Sequence, residues 1–580
     1  MVEKIIYIAL QKIVGEVEFD LEIPARSENG DYSTNVAMKL FANLKNKQQD
    51  LEIMGEKFEV VSPRSIAELI RDKLSKDEEL STYISKIEVA GSGFVNFYLN
   101  NAYLINVIKE VLAKGSNYGK KASNNGKRAI VEYSSPNIAK PFTIGHLRST
   151  VIGDAYANML EMVGWEVLRD NHLGDWGTQF GKQIYAIKAW GSETEIEKSE
   201  NPVKDLVALY VRFHKEAETN PELEDKAREW FKKLESGDEE VRRLWLKCID
   251  WSFREFSKIY NELGVKFSEK FNGGRGLGES FFEDKMHAVI EELDNKSFLK
   301  VGEGGAKLVF FDNDKYPPAM ILKKDGSTLY HTRDLATDKY RKDNFDPDLI
   351  VNEVGAEQQL YFKQLFEMEK MLGWFDLSQR VHLFHGMFRF KDRKMSTRKG
   401  NVIWLEEVLE QAISRAREMG SKVSETAKII GIGAIKWNDL KHDPKADVVF
   451  DWDEILNMQG NSGPYMQYTY ARCMSVLEKS GSKSVGLSSD GTYQLNADER
   501  EITTKLSQYS GTILIGVKNY SPSVICTYLY NLASTFNKFY NSNKIVGSDN
   551  EELRLALTKA TATVIKSGLD ILGIQAPERM

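Results

Sequence analysis

Two short stretches of this chain bring together the residue types that hold phosphate. The first is Ser134 to His146, SSPNIAKPFTIGH, which follows an apolar run from Arg128 to Val131 that reads as a buried strand. Ser134, Ser135, Pro136, Asn137 and Pro141 favour a loop over regular structure. From Gly145-His146 onward, Leu147, Val151, Ala155, Met159 and Val163 fall at the spacing of a helix's inner stripe, with Gly164 placed to end it. Trp165 to Leu168 reads as the next strand, which predicts a βαβ unit. Its strand-to-helix turn aims backbone N–H groups and the positive helix end at one spot, and Lys140 and His146 add donors there. Neither GxGxxG nor GxxxxGK[ST] is present. The second stretch is Lys394 to Gly400, KMSTRKG, where Lys394, Arg398 and Lys399 sit among small residues in a loop able to close over a pyrophosphate. Taken alone, the first reads as a helix start with a satisfied histidine and the second as a solvated basic loop.

Their pairing and order change that reading. PNIAKPFTIGH, residues 136–146, resembles the HIGH motif of class I aminoacyl-tRNA synthetases, and the flanking SSPNIAKPF and GHLRST resemble its arginyl-tRNA synthetase form. KMSTRKG resembles that family's KMSKS loop. The likeness runs through nearly the whole chain. It implies ATP-dependent activation of L-arginine to arginyl-adenylate, then transfer to the 2′-hydroxyl of the terminal adenosine of tRNA(Arg), with release of AMP and pyrophosphate. It also implies Mg²⁺ accompanying ATP, no zinc, a cytoplasmic monomer, and a need for bound tRNA before activation.

Roles follow residue by residue from the resemblance. His146, Lys140 and Lys394 would act on the phosphates, with Lys399 at the position of the second KMSKS lysine. Thr143 stands where the first HIGH histidine is expected; its hydroxyl can donate to phosphate but carries no charge. Pro136, Gly145, His146, Met395, Ser396 and Lys399 would line the ATP site, with His385 and the main chain of Met387 at the adenine edge. Ser135, Asn137, His146 and Gln358 would hold the arginine α-amino and carboxylate groups. A guanidinium is met best by a carboxylate in bidentate geometry. Tyr330 and Asp334, four apart in STLYHTRDLA, are expected in that pocket, with Glu279 as a second carboxylate. His172, His331 and His382 have no companions at metal-ligand spacing and are expected in core or surface roles.

The elements that must position these residues form an α/β architecture: a Rossmann-type nucleotide-binding catalytic domain, an N-terminal α+β domain and a C-terminal all-α helical bundle. Residues 1–118 are expected as the first domain, where GDYSTN and GFVNFYL resemble the family's tRNA-elbow module and Asn96, Phe97 and Tyr98 would touch the D-loop. The catalytic domain is expected over 119–405, with a charged helical insertion over 190–265. A connector over 406–460 leads to an anticodon-binding bundle over 461–580, where Tyr465, Arg472 and Met580 are the tRNA candidates. The 580 residues are 42% hydrophobic and 28% charged, which fits a globular protein, and no apolar run is long enough to span a membrane. Three scattered cysteines exclude a disulfide framework, and a net charge of −7 excludes a general nucleic-acid coat. Two rivals remain at this point: a class I enzyme for another amino acid, and a non-catalytic RNA-binding relative.

Overall fold

A computed structural model describes residues 2–24, 27–47, 51–53, 56–58, 62–389, 403–419, 423–481, 485–488 and 491–580. The KMSTRKG stretch is outside them, and with it the roles expected of Lys394, Met395, Ser396 and Lys399.

At the centre are four parallel strands in the order Arg380–His385, Leu349–Gly355, Arg128–Glu132, Glu166–Asp170. Ile130, Val131, Ile350 and Val351 are fully buried, as a sheet covered on both faces requires. The helix Ile144–Met162 crosses between the Arg128–Glu132 and Glu166–Asp170 strands. It lies close because Gly153 faces Tyr133: a Cβ there would stand 2.2 Å from that of Tyr133. From the central pair of strands the chain leaves in opposite directions. This makes a topological switch point, where open α/β sheets bind ligands at the strands' C-terminal ends.

Between Glu166–Asp170 and Leu349–Gly355 the chain builds helices Gln179–Trp190, Pro202–Thr219, Glu222–Glu235 and Glu239–Leu263. A small antiparallel sheet follows, in which Lys307–Val309 pairs with Ala319–Leu322 and with Leu299–Val301. Just after it, Leu322 and Thr328 form an isolated bridge. Helix Tyr330–Phe345 starts at once, because Thr332, Leu335, Ala336 and Thr337 bury a helical face.

The N-terminal region is a four-stranded antiparallel sheet with helices Val2–Val14, Val36–Lys47 and Pro63–Leu74. Its first strand is short, Leu21–Glu22. Helix Asn101–Lys114 contributes Leu104 to this core, and Ile105, Val107, Ile108 and Val111 to the larger core shared by the central sheet and the bundle. The bundle comprises Gly463–Lys479, Ala497–Lys518, Ser523–Ser542 and Glu551–Ile571. Its second helix packs closely on the N-terminal helix at Gly511, where a Cβ would meet Glu3 at 2.4 Å. No helix among the described residues is long and apolar enough to cross a membrane.

Candidate active site

The loop after strand Arg128–Glu132 carries the residues expected to hold phosphate in an unusual backbone. Ser134, Ser135 and Ala139 all have positive φ, at 73°, 45° and 57°, without a glycine among them. Three such residues in a row of six cost free energy, and they persist only where the surroundings hold them. The hold is visible. Ser134 N–H donates to Ser149 Oγ at 2.9 Å, Ser135 N–H to Asn171 Oδ1 at 3.1 Å, and Ala139 N–H to Ser252 Oγ at 2.9 Å. Ser252 and Tyr260, the latter on the Ser134 hydroxyl at 2.8 Å, come from the Glu239–Leu263 helix. The charged insertion therefore braces the loop as well as facing solvent.

Thr143 caps helix Ile144–Met162, and its backbone N–H donates to His146 Nδ1 at 3.0 Å. This fixes the tautomer: Nδ1 accepts, so the ring proton is on Nε2. Burial pulls the His146 pKa down to about 4, so the ring is a neutral N–H donor at neutral pH. The Thr143 hydroxyl lies 3.0 Å from the same Nδ1, so its side chain orients the histidine, in contrast to the phosphate contact expected of it. Lys140, His385 and His146 are near enough for their charges to interact. The loop is also stitched to the chain just after the basic stretch, with Ile144 N–H on Ile403 O and Leu405 N–H on Phe142 O.

Deeper along the same helix, Arg148 is fully buried against Asp439 at 2.9 Å and donates to Ala446 O and Pro444 O. That segment also reaches Met387, whose N–H donates to Asp447 Oδ1 at 2.8 Å while its C=O accepts from Val448 N–H. Both main-chain groups of Met387, expected at the adenine edge, are engaged within the chain here. His385 Nδ1 lies 2.8 Å from Glu353 Oε1; burial opposes its charge, but Glu353 outweighs this and the pKa is raised.

On the other side of the switch point, the segment 277–280 docks on 170–175. Glu279 N–H donates to Leu173 O at 3.0 Å, and Ser280 bonds Asp175. Asp334, on the second turn of Tyr330–Phe345, accepts from Tyr361 OH and lies 4.0 Å from His172 Nε2. Burial raises the Asp334 pKa and lifts that of Glu279 to about 7 against the pull of Arg333, 3.3 Å away. Beneath them Arg341 is buried between Glu132 and Asp170, at 2.5 and 2.7 Å, and ties both strand ends to the Asp334 helix. Ser135 Oγ and His172 Nε2 are buried with no hydrogen-bond partner. No group of three or more His, Cys, Asp or Glu able to hold a metal occurs among the described residues.

The family models match in three consecutive blocks. An "Arginyl tRNA synthetase N terminal domain" covers residues 1–99, "tRNA synthetases class I (R), catalytic domain" covers 107–452, and a "DALR anticodon binding domain" covers 466–580. The chain belongs to the arginyl-tRNA synthetase family. It is 41% identical over 577 residues to the arginine–tRNA ligase of Clostridioides difficile (strain 630), covering 97% of this chain and 96% of that one. It is 41% identical over 592 residues to that of Halothermothrix orenii, covering 100% and 99%. In fold it matches the arginyl-tRNA synthetase crystal structures from Plasmodium falciparum (TM-score 0.82, 24% identity, 100% of this chain and 98% of that one) and Thermus thermophilus (0.81, 23%, 100% of both).

Within this arginyl-tRNA synthetase fold, Ser135, Pro136, Asn137, Lys140, Gly145 and His146 share one loop and helix start, and the charges of Asp334 and Glu279 both act on His172. Gln358 is exposed at the head of the Gln359–Leu372 helix, one turn before Tyr361. Tyr330 is 66% exposed and stands at the rim, outside the carboxylate pair. Asn96 and Phe97 need correction as tRNA contacts. They lie on a central strand paired on both edges, are 3% and 0% exposed, and Asn96 is bonded by Ser33. Tyr465 and Arg472 share Asn537, Arg472 also stacks over Tyr468 and Tyr540, and Met580 is exposed. Sequence reasoning gave His172 only a core or surface role and did not bring forward Tyr361, three residues past Gln358, although both lie at Asp334.

Proposed function

We infer that the protein condenses L-arginine with ATP and passes the arginyl group to tRNA(Arg), in the cytoplasm and as a monomer. The observation that carries this is the convergence of Asp334 and Glu279 at the switch point, across from the His146 loop, in a chain matching arginine–tRNA ligases end to end. Two carboxylates suit a guanidinium, which stays charged at any working pH. The unpartnered Ser135 Oγ supplies an acceptor for the α-amino group, with Asn137 beside it.

Activation forms a bond between the arginine carboxylate and the α-phosphorus of ATP, and breaks the bond to pyrophosphate. Positioning and electrostatics supply the catalysis. Neutral His146 donates Nε2–H to phosphate oxygens at the helix start, Lys140 adds positive charge, and Lys394 and Lys399 meet the departing pyrophosphate. Mg²⁺ enters as the counter-ion of ATP. The 2′-hydroxyl of tRNA then attacks the adenylate carbonyl, its proton leaves, and AMP departs. The test is ATP–pyrophosphate exchange with each amino acid, with and without tRNA(Arg). Exchange with arginine alone, dependent on tRNA, is expected. Exchange driven by another amino acid overturns the reading.

A further inference from the structure

His172 lies among the carboxylates but is none of the residues that the motifs bring forward. Its Nδ1 is 3.0 Å from Leu277 O, and a carbonyl can only accept, so Nδ1 carries a proton. Nε2 is buried, bonded to nothing, and turned toward Asp334 Oδ1 at 4.0 Å, too far for a hydrogen bond. The Phe282 ring backs the imidazole at 5.7 Å. The charged groups around it come from every side: Glu132 from the sheet, Asp334 and Arg341 from the Tyr330–Phe345 helix, Glu279 from its turn, and Asp175 from the following loop.

We propose that His172 is a third recognition group for the guanidinium: a proton-bearing counter-charge to Asp334 in the empty pocket, and a lone-pair acceptor for a guanidinium N–H in the filled one. The proposal rests on the arginine-pocket reading above. In the empty site burial opposes a charge on His172, but Glu132 and Asp334 outweigh it and its pKa is raised. A guanidinium at Asp334 brings a permanent positive charge beside the ring and removes the reason for that proton. The Nε2 proton passes to solvent, and the freed lone pair faces a donor-rich group. With Nδ1 tied to Leu277, only Nε2 can make this change. The pocket then offers acceptors from Asp334, Glu279 and His172 to the five N–H donors of a guanidinium.

Calorimetric titration of the full-length protein with L-arginine, near pH 7 in two buffers of different ionisation enthalpy, counts the protons released. The wild type is expected to release more protons than His172→Phe or His172→Gln. Arginine affinity is expected to fall about tenfold in His172→Phe. In His172→Gln, whose amide oxygen can accept without titrating, much of that affinity is expected to return while the lost proton does not. The KM for ATP stays unchanged in both, which reports an intact fold. Unaltered proton release and unaltered arginine affinity in both variants overturn the proposal. Asp334→Asn separates the two levels: if it too leaves arginine binding intact, the pocket reading itself has failed, and if it abolishes binding, only the role of His172 has.

Discussion

At the scale of single residues, the proposed function sets a neutral donor, His146, at the phosphates and ionisable acceptors at the arginine side chain. On the proposed reading, Asp334→Asn removes the charge that would meet the guanidinium. Breaking a largely buried pair costs about 3–5 kcal/mol, so the KM for arginine is expected to rise by about 10²-fold or more with the KM for ATP little changed. Steady-state exchange with each substrate varied checks this; a matched rise in both constants points to a structural defect. Glu279 gives a pH signature. Burial raises its pKa to about 7, so below that value it holds a proton that arginine must displace. The KM for arginine is therefore expected to fall as pH rises through about 7, and Glu279→Gln to make that fall shallower. A profile identical to wild type contradicts the role. His146 and Asp334 were legible because each sits in a run of neighbours with recognisable spacing. His172 and Tyr361 were not, since what makes them relevant is a contact with Asp334 across 162 and 27 positions. Phe97 was legible as a strand residue, but whether an aromatic faces tRNA or core depends on strand neighbours that a single sequence does not align.

At the scale of elements, the His146 helix is the member on which the rest is hung. Its outer end is fixed by Thr143 and its interior by the buried Arg148–Asp439 pair. Asp439→Ala leaves Arg148 buried with carbonyl acceptors only, and is expected to cost about 3–5 kcal/mol in urea unfolding. Asp439→Asn, which keeps an acceptor, costs less; equal stability of all three proteins contradicts the pair's structural role. The apolar stripe predicted this helix well, from Leu147 to Val163, because a long period of 3.6 residues is hard to imitate by chance. The left-handed trio Ser134, Ser135 and Ala139 could not be read, because no glycine marks it and its braces come from Ser149, Asn171 and Ser252. Tyr330 was placed in the pocket by its neighbours, but it stands at the start of a helix whose buried face begins at Thr332, a placement set by tertiary burial.

At the scale of the whole molecule, the two regions that flank the sheet touch one another. Asp31 of the N-terminal region accepts from Leu99 N–H, from Arg500 at 2.7 Å and from Thr504 at 3.1 Å, both on the Ala497–Lys518 helix. A cleft of about 780 Å³ opens beside this tie, lined by Glu28, Tyr98, Glu501 and Lys538 among others. On the proposed function, a tRNA held by both regions at once would depend on the distance between them. Asp31→Ala is expected to raise the KM for tRNA about tenfold, the effect of losing roughly 1.5 kcal/mol of charge-assisted bonding, without moving the constants for arginine or ATP. A change in all three indicates general unfolding. The tie joins positions 469 apart, and nothing in either local sequence announces it. The account as a whole is tested most directly by charging purified tRNA(Arg) with each labelled amino acid in turn, using wild type and Asp334→Asn. Charging by arginine alone, lost in the variant, is the predicted result. Charging by any other amino acid, or none by the wild type although tRNA binds, contradicts it.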